Sequence, residues 1–311
     1  MISYYNNSAN RDKGLVALEK WDDRCWTNVI CPTQNELDYL VNELQIPVDF
    51  LDDVEDVDER PRLEHEDGWT LVIIRIPIAH EKDMEFSTAP LGIMTKGHMV
   101  VSVCFHQNEV IPDFILFTQR KNIVIDNNTN FLLRLILSSS VWYQKYLKRI
   151  NIRTKMGEKE LAKSIKNDEL HALLGLEKVL VYFITSLKGN DLLLYRLKNF
   201  YCKNDEFDEE LLEDMEIEIK QAIVTTNVYS DILAGMMDAY ASIISNNVNE
   251  IVKKLTVITI LITIPNVISG FFGMNLLNHS EEHPYAFFIV VSFVLLLCFL
   301  VFFVFRRSKL L

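Results

Sequence analysis

The chain has 311 residues, 49% of them apolar, and a formal charge of −12 from 31 Lys and Arg against 43 Asp and Glu. With only 10 Gly and 8 Pro, this composition excludes disordered, collagen-like and low-complexity classes. The acidic balance argues against nucleic acid, which requires a basic footprint, and favours cations as partners.

Five cysteines, Cys25, Cys31, Cys104, Cys202 and Cys298, are scattered without metal-site or disulfide-framework spacing, which predicts a reduced, cytosolic body. The opening Met1-Ile2-Ser3-Tyr4-Tyr5 has neither a basic n-region nor an apolar h-region, so no secretory signal is expected. Residues 1–125 read as a mixed α/β cytosolic domain. A helix is expected near 33–44. Strands follow from the β-branched runs Gly68–Pro77, Leu91–Met94 and Met99–Phe105, with turns at Glu66-Asp67-Gly68 and Lys96-Gly97.

Residues 126–254 read as a cytosolic helical domain. Helices are expected at 129–156, 159–187 and 190–203, the last two separated by the polar break Lys188-Gly189-Asn190. Apolar positions then recur at helical spacing from Leu211 to Leu255 with no proline between 208 and 264, so a stalk helix should run unbroken toward the C-terminal end. From Asp208 to Met274 it would extend about 100 Å.

Leu255 to Met274 is a stretch of 20 uncharged residues, and Tyr285 to Phe305 one of 21. Each is long enough to cross a hydrocarbon core of about 30 Å. Lys253 and Lys254 precede the first and Arg306, Arg307 and Lys309 follow the second. The connection, 275–284, has no Lys or Arg but has Glu281 and Glu282. The positive-inside rule then places both termini, including the basic tail 306–311, in the cytoplasm and the short loop outside.

In the first span Thr256, Thr259, Thr263, Asn266 and Gly270 recur at spacings of 3, 4, 3 and 4, and the row extends back through Val252 and Asn249. They share one helix face, and polar groups inside a membrane face a bundle interior or water. The alternative is that the Thr hydroxyls bond back to their own helix. The second span has no such stripe and is expected to face lipid. One stripe cannot enclose a channel, so a homo-oligomer with the first span innermost is predicted.

The first span ends in Ser269-Gly270-Phe271-Phe272-Gly273-Met274-Asn275. Gly273-Met274-Asn275 at this position, before a short acidic loop, one more span and a basic tail, resembles the CorA family of magnesium transporters. Asn249 to Thr256 and Arg60-Pro61-Arg62-Leu63-Glu64 are similar to other parts of the family, so the resemblance covers the chain. Phe272 in place of the commoner Tyr, Leu276 in place of Phe, and the absence of a Met-Pro-Glu-Leu loop element are departures.

The resemblance implies a funnel-shaped homopentamer in the bacterial plasma membrane, with Gly273, Met274 and Asn275 as selectivity filter. It places Asn249 and Leu255 in the pore and, by an ungapped count, Asp238 in an acidic ring. It also implies regulatory Mg²⁺ bridging the cytosolic domains, with Asp214 as stalk ligand and Glu81 or Asp83 as partner. The chemistry of the motif agrees. Mg²⁺ holds its waters tightly, and a ring of neutral Asn275 amide oxygens accepts hydrogen bonds from them without stripping them. Glu281 and Glu282 would concentrate cations at the mouth.

No GxxxxGK[ST] or other phosphate-binding loop is visible, so no nucleotide is expected and uptake would be driven by membrane potential, not by enzymatic hydrolysis. The expected function is channel-like Mg²⁺ uptake. Transport of Zn²⁺, Co²⁺ or Ni²⁺, and a non-conducting membrane-tethered scaffold, are the alternatives.

Overall fold

In the N-terminal part strands form where β-branched and other apolar residues run together, and one such run, Leu71-Val72-Ile73-Ile74, sits buried in β5. The computed structural model describes residues 1–6, 14–80, 85–125, 127–163, 167–201, 208–274 and 285–307. Two compact units are present, Met1–Gly235 and Met236–Leu311.

In the first unit, β1 (Ile2–Asn6), β2 (Val16–Leu18), β3 (Trp26–Ile30), β4 (Arg62–Glu66), β5 (Trp69–His80), β6 (Glu85–Lys96) and β7 (Met99–Cys104) form one sheet, ordered β2-β1-β3-β7-β6-β5-β4. All pairings are antiparallel except β3 with β7. Helices α1 (Gln34–Asn42) and α2 (Val48–Glu55) lie between β3 and β4, and α3 (Val110–Lys121) follows β7. The expected helix at 33–44 is α1. It opens with a capping box in which the Thr33 and Glu36 side chains answer each other's backbone.

The predicted turn at Glu66-Asp67-Gly68 is a tight hairpin. Asp67 (φ 49°) and Gly68 (φ 78°) are both left-handed, which matches the right-handed twist of the strands they join. Trp26 and Val29 are three apart in β3 and point to opposite faces. Val29 joins Leu40, Phe50, Val54, Trp69, Ile73 and Val101 in a core under α1 and α2. Trp26 packs instead on Phe114 of α3 and on Phe131. Being covered on both faces explains why β5 is apolar at consecutive positions rather than alternating. Gly92 in β6 lets α2 come close: a Cβ there would stand 2.3 Å from a Val54 methyl.

The long helices α4 (Asn128–Lys163) and α5 (Asn167–Tyr201) pack over β5 and β6. The expected break at Lys188-Gly189-Asn190 does not occur, and α5 passes straight through it. The reason is tertiary. β4 pairs with β5 only as far as Ile73, so β5 has an open edge beyond. Asn190 closes it: its Oδ1 accepts from the Arg75 N–H (3.0 Å) and its Nδ2 donates to the Arg75 carbonyl (2.8 Å). Gly189 lets the helix reach that edge, since a Cβ there would stand 2.9 Å from Pro61. Pro77, two residues on, turns its missing N–H to the same side, where no strand needs it.

Helix α6 (Glu209–Phe272) is 64 residues long, with Pro265 inside it, and contributes to both units. The second unit is completed by α7 (Ala286–Arg307).

Candidate ion-conducting face

Between Ile251 and Phe272 every residue of α6 is exposed except Val257, Leu261, Ile264 and Ile268. Their spacings of 4, 3 and 4 define one stripe, and Cys298 of α7 reaches it, its Sγ lying 3.8 Å from the Leu261 carbonyl oxygen. On α7 the less exposed positions are Val290, Val294, Leu297, Cys298, Val301 and Phe305. They form a matching stripe, and the other residues of α7 from Phe287 on are exposed.

The predicted pore residues take a different phase. At 3.6 residues per turn, Asp238, Asn249, Val252, Leu255, Thr256, Thr259, Thr263 and Asn266 occupy an arc of about 120°, whose polar centre lies about 150° from the stripe that meets α7. All eight are exposed, Val252 at 53% and Leu255 at 62%. Helix periodicity therefore keeps them together on a face that α7 leaves uncovered.

The three threonines bond back to their own helix, as the alternative reading held. Thr256 Oγ1 donates to the Val252 carbonyl (2.9 Å), Thr259 Oγ1 to Leu255 (2.9 Å) and Thr263 Oγ1 to Thr259 (2.7 Å). These bonds use the hydroxyl protons and leave the oxygen lone pairs. What these threonines present outward is therefore acceptor character, which suits a hydrated cation, whose waters point their hydrogens outward.

Near the lower end of this face Lys254 Nζ lies 2.7 Å from Glu250 Oε1. That hydrogen bond holds the Glu250 carboxyl below the usual carboxylate range. At the other end α6 runs out gradually: the Gly273 N–H still donates to the Ser269 carbonyl at 3.0 Å, and the Met274 N–H to Phe271 at 3.4 Å. Gly273 and Met274 are exposed. Asn275, Glu281 and Glu282 lie outside the described residues.

The acidic segments resolve differently. Asp214 is exposed on α6, and its proposed partners Glu81 and Asp83 lie outside the described residues. Among the described residues no cluster of three or more His, Cys, Asp or Glu side chains is arranged to hold a metal. Within the acidic run 49–59, Asp53 and Glu59 are bound by Arg62, which also meets Glu64 at 3.1 Å. Arg75 ties the same segment to the fold, donating to the Val57 (2.7 Å) and Glu59 (2.8 Å) carbonyls.

Among the described residues three helices are long and apolar enough to cross a membrane: Asn167–Phe200, Glu209–Phe272 and Phe287–Arg307. The first is explained without a membrane, since Leu180, Phe183, Leu187, Leu193, Leu194 and Leu197 are buried within the first unit.

Residues 21–307 match the family described as CorA-like Mg²⁺ transporter protein. The chain is 28% identical over 288 residues to the cobalt/magnesium transport protein CorA of Methanocaldococcus jannaschii, covering 91% of this chain and 90% of that one. The complete structure of the CorA magnesium transporter from Methanocaldococcus jannaschii has a similar fold, with a TM-score of 0.83 at 24% identity over 99% of this chain and 98% of the other. So does the full-length CmaX protein, at a TM-score of 0.71 and 14% identity over 99% and 97% of the two chains. The match spans nearly the whole length and includes the long helix that carries the polar face. The chain therefore belongs to the CorA-like Mg²⁺ transporter family, and its chemistry is the transport of divalent cations, not catalysis.

Proposed function

We propose that the protein is a homopentameric, channel-like Mg²⁺ uptake system of the plasma membrane. The chain crosses the bilayer twice, at 255–274 and 285–305, with both termini and the domains 1–125 and 126–254 in the cytoplasm. The observation that carries this reading is the phase of α6. Its polar face points away from the helix that packs on it, so five copies can line a wet axis while α7 faces outward. Hydrated Mg²⁺ meets Gly273, Met274 and the Asn275 amides at the outer end, with Glu281 and Glu282 raising the local cation concentration. It then passes the acceptor-only threonine rows, and Leu255 narrows the path near the cytoplasmic end, where an apolar ring gates by dewetting.

Transfer of two charges gains about 4.6 kcal/mol per 100 mV, so the membrane potential suffices as the driving force. Internal Mg²⁺ closes the path by binding between cytosolic domains, with Asp214 on α6 as one ligand.

Flux of Mg²⁺ into proteoliposomes under an imposed potential is the direct test. Hexammine-cobalt, which imitates a metal with its water shell, should block it. Asn275→Ala with the oligomer intact should lower flux by roughly tenfold or more, the effect of losing about 1.4 kcal/mol of favourable contact. Unchanged flux would remove the proposed filter, and absence of any divalent flux would leave a scaffold. Co²⁺, Ni²⁺ and Zn²⁺ in the same assay rank the ions, Co²⁺ being the relevant rival because the Methanocaldococcus relative is named for both cobalt and magnesium.

A further inference from the structure

The first unit contains a cleft unrelated to the ion path. It lies where β3 and β7 begin, between the β4–β5 and β6–β7 turns, the start of α4 and the end of α5, and has a volume of about 720 Å³. Its chemistry is opposite to that of the chain. In a protein with 43 acidic residues, none of the described residues lining it is Asp or Glu, whereas Arg24, Lys96 and His98 all contribute; Asp126, between the lining residues Ile125 and Asn127, lies outside the described residues. None of Arg24, Lys96 and His98 forms an ion pair among the described residues, and the Lys96 ammonium lies over the Trp69 ring, 5.5 Å from its centroid. The nearby Asp22 carboxylate is engaged by the Arg24 backbone N–H at 3.1 Å.

The N-terminus of α4 adds to the positive field. Helices α5 and α6 begin with Asp168 and Glu169 and with Glu209 and Glu210, but the first turn of α4 has no acidic residue. Asn128 in that turn donates from Nδ2 to the Gly97 carbonyl at 2.9 Å, which fixes the β6–β7 turn carrying Lys96 and His98 against the helix start. The other lining group is aromatic. Phe200 is 45% exposed and stacks on His65 with centroids 4.6 Å apart, and Tyr5 is half-buried on the opposite side. A cationic rim, exposed rings and a volume within the ordinary range for small-molecule sites suit a ligand with an anionic head and a flat ring.

We propose that this cleft binds a nucleoside polyphosphate, its phosphates held by Arg24 and His98 and its base against Tyr5 and Phe200. The ligand acts as a bound effector of the cytosolic unit and not as an energy source. The chain builds the site without a glycine-rich loop, from side chains of β1, the turn before β3, the β6–β7 turn and the end of α5.

The test is calorimetric titration of the detergent-solubilised full-length protein with ATP, inorganic triphosphate and adenosine at constant free Mg²⁺. Saturable ATP binding is expected, with triphosphate and adenosine each weaker by roughly tenfold or more. Arg24→Ala with His98→Ala, both at exposed positions, should weaken ATP by roughly tenfold while leaving the melting temperature unchanged, and Arg24→Lys should retain most of the affinity. No heat with ATP, equal affinity in the double variant, or triphosphate binding as tightly as ATP would each overturn the proposal. The readout needs no transport, so it stands or falls apart from the ion path.

Discussion

Asn190 is 3% exposed, with both ends of its amide committed to the Arg75 backbone. Tyr143 donates a further hydrogen bond to the same carbonyl at 3.0 Å, and burial pushes its phenol far above the usual value. Asn190→Leu keeps the volume but leaves the Arg75 N–H without a partner in a place water does not reach. A buried unsatisfied backbone group costs about 1–3 kcal/mol, so the melting temperature of the solubilised protein should fall by several degrees. A melting curve that matches the parent would mean that the edge is wetter than the burial indicates. This residue also marks where sequence reading stops. Lys188-Gly189-Asn190 has the composition of a loop, and nothing local distinguishes it from one. Its role depends on a strand edge 115 residues away in sequence. The threonine stripe was legible for the opposite reason: its spacing is set by the helix that carries it.

At the scale of elements, legibility followed how much of the pattern was local. Strands β5 and β7 and the turns flanking them are runs of β-branched residues punctuated by Asp-Gly and Lys-Gly, and were read directly. Strand β1, Ile2-Ser3-Tyr4-Tyr5-Asn6, is mostly half-exposed and gives no clean alternation, so it was not. Helix α3 was missed because Pro112 falls in its first turn, a position helices tolerate but sequences advertise as a break. Helix α2 (Val48–Glu55) was not anticipated, because its sequence is dense in carboxylates. Its carboxylates are the solvated side of an amphipathic turn whose Phe50, Leu51 and Val54 are buried. That burial gives an element-scale prediction. Gly92→Ala would set a Cβ 2.3 Å from the Val54 methyl and force α2 off the sheet, an overpacking cost of about 1–3 kcal/mol. Adding Val54→Ala should recover part of the loss, whereas two unrelated lesions would simply add. A double variant less stable than either single one, by thermal unfolding, would refute the close packing of α2 on β6.

At the scale of the whole molecule, the charge has to be reconciled with assembly. Each copy carries −12, and within the described residues of the first unit Arg62 already neutralises Asp53 and Glu59. On α6, Glu216 is paired with Lys198 and Lys220, whereas Glu213 and Asp214 form no ion pair among the described residues. If copies gather around a common axis, those carboxylates approach one another and repel, and a divalent ion shared between copies turns that repulsion into a clamp. A ligand that binds only the clamped arrangement stabilises it by about 2.7 kcal/mol per site at a hundred times its dissociation constant, enough to shift the population between closed and open states by about a hundredfold. Removing Mg²⁺ with EDTA should therefore loosen the cytosolic units and speed proteolysis near the start of α6, and restoring Mg²⁺ should reverse it. In Asp214→Asn the protection should require several-fold more Mg²⁺, and flux should persist at internal Mg²⁺ levels that silence the parent. The alternative, general screening of an acidic surface, makes a different forecast: Na⁺ at matched ionic strength would protect as well as Mg²⁺, and Asp214→Asn would shift nothing. Limited proteolysis with the two salts, run on parent and variant, separates them, because only a specific site couples one carboxylate on one helix to the conductance of the entire assembly.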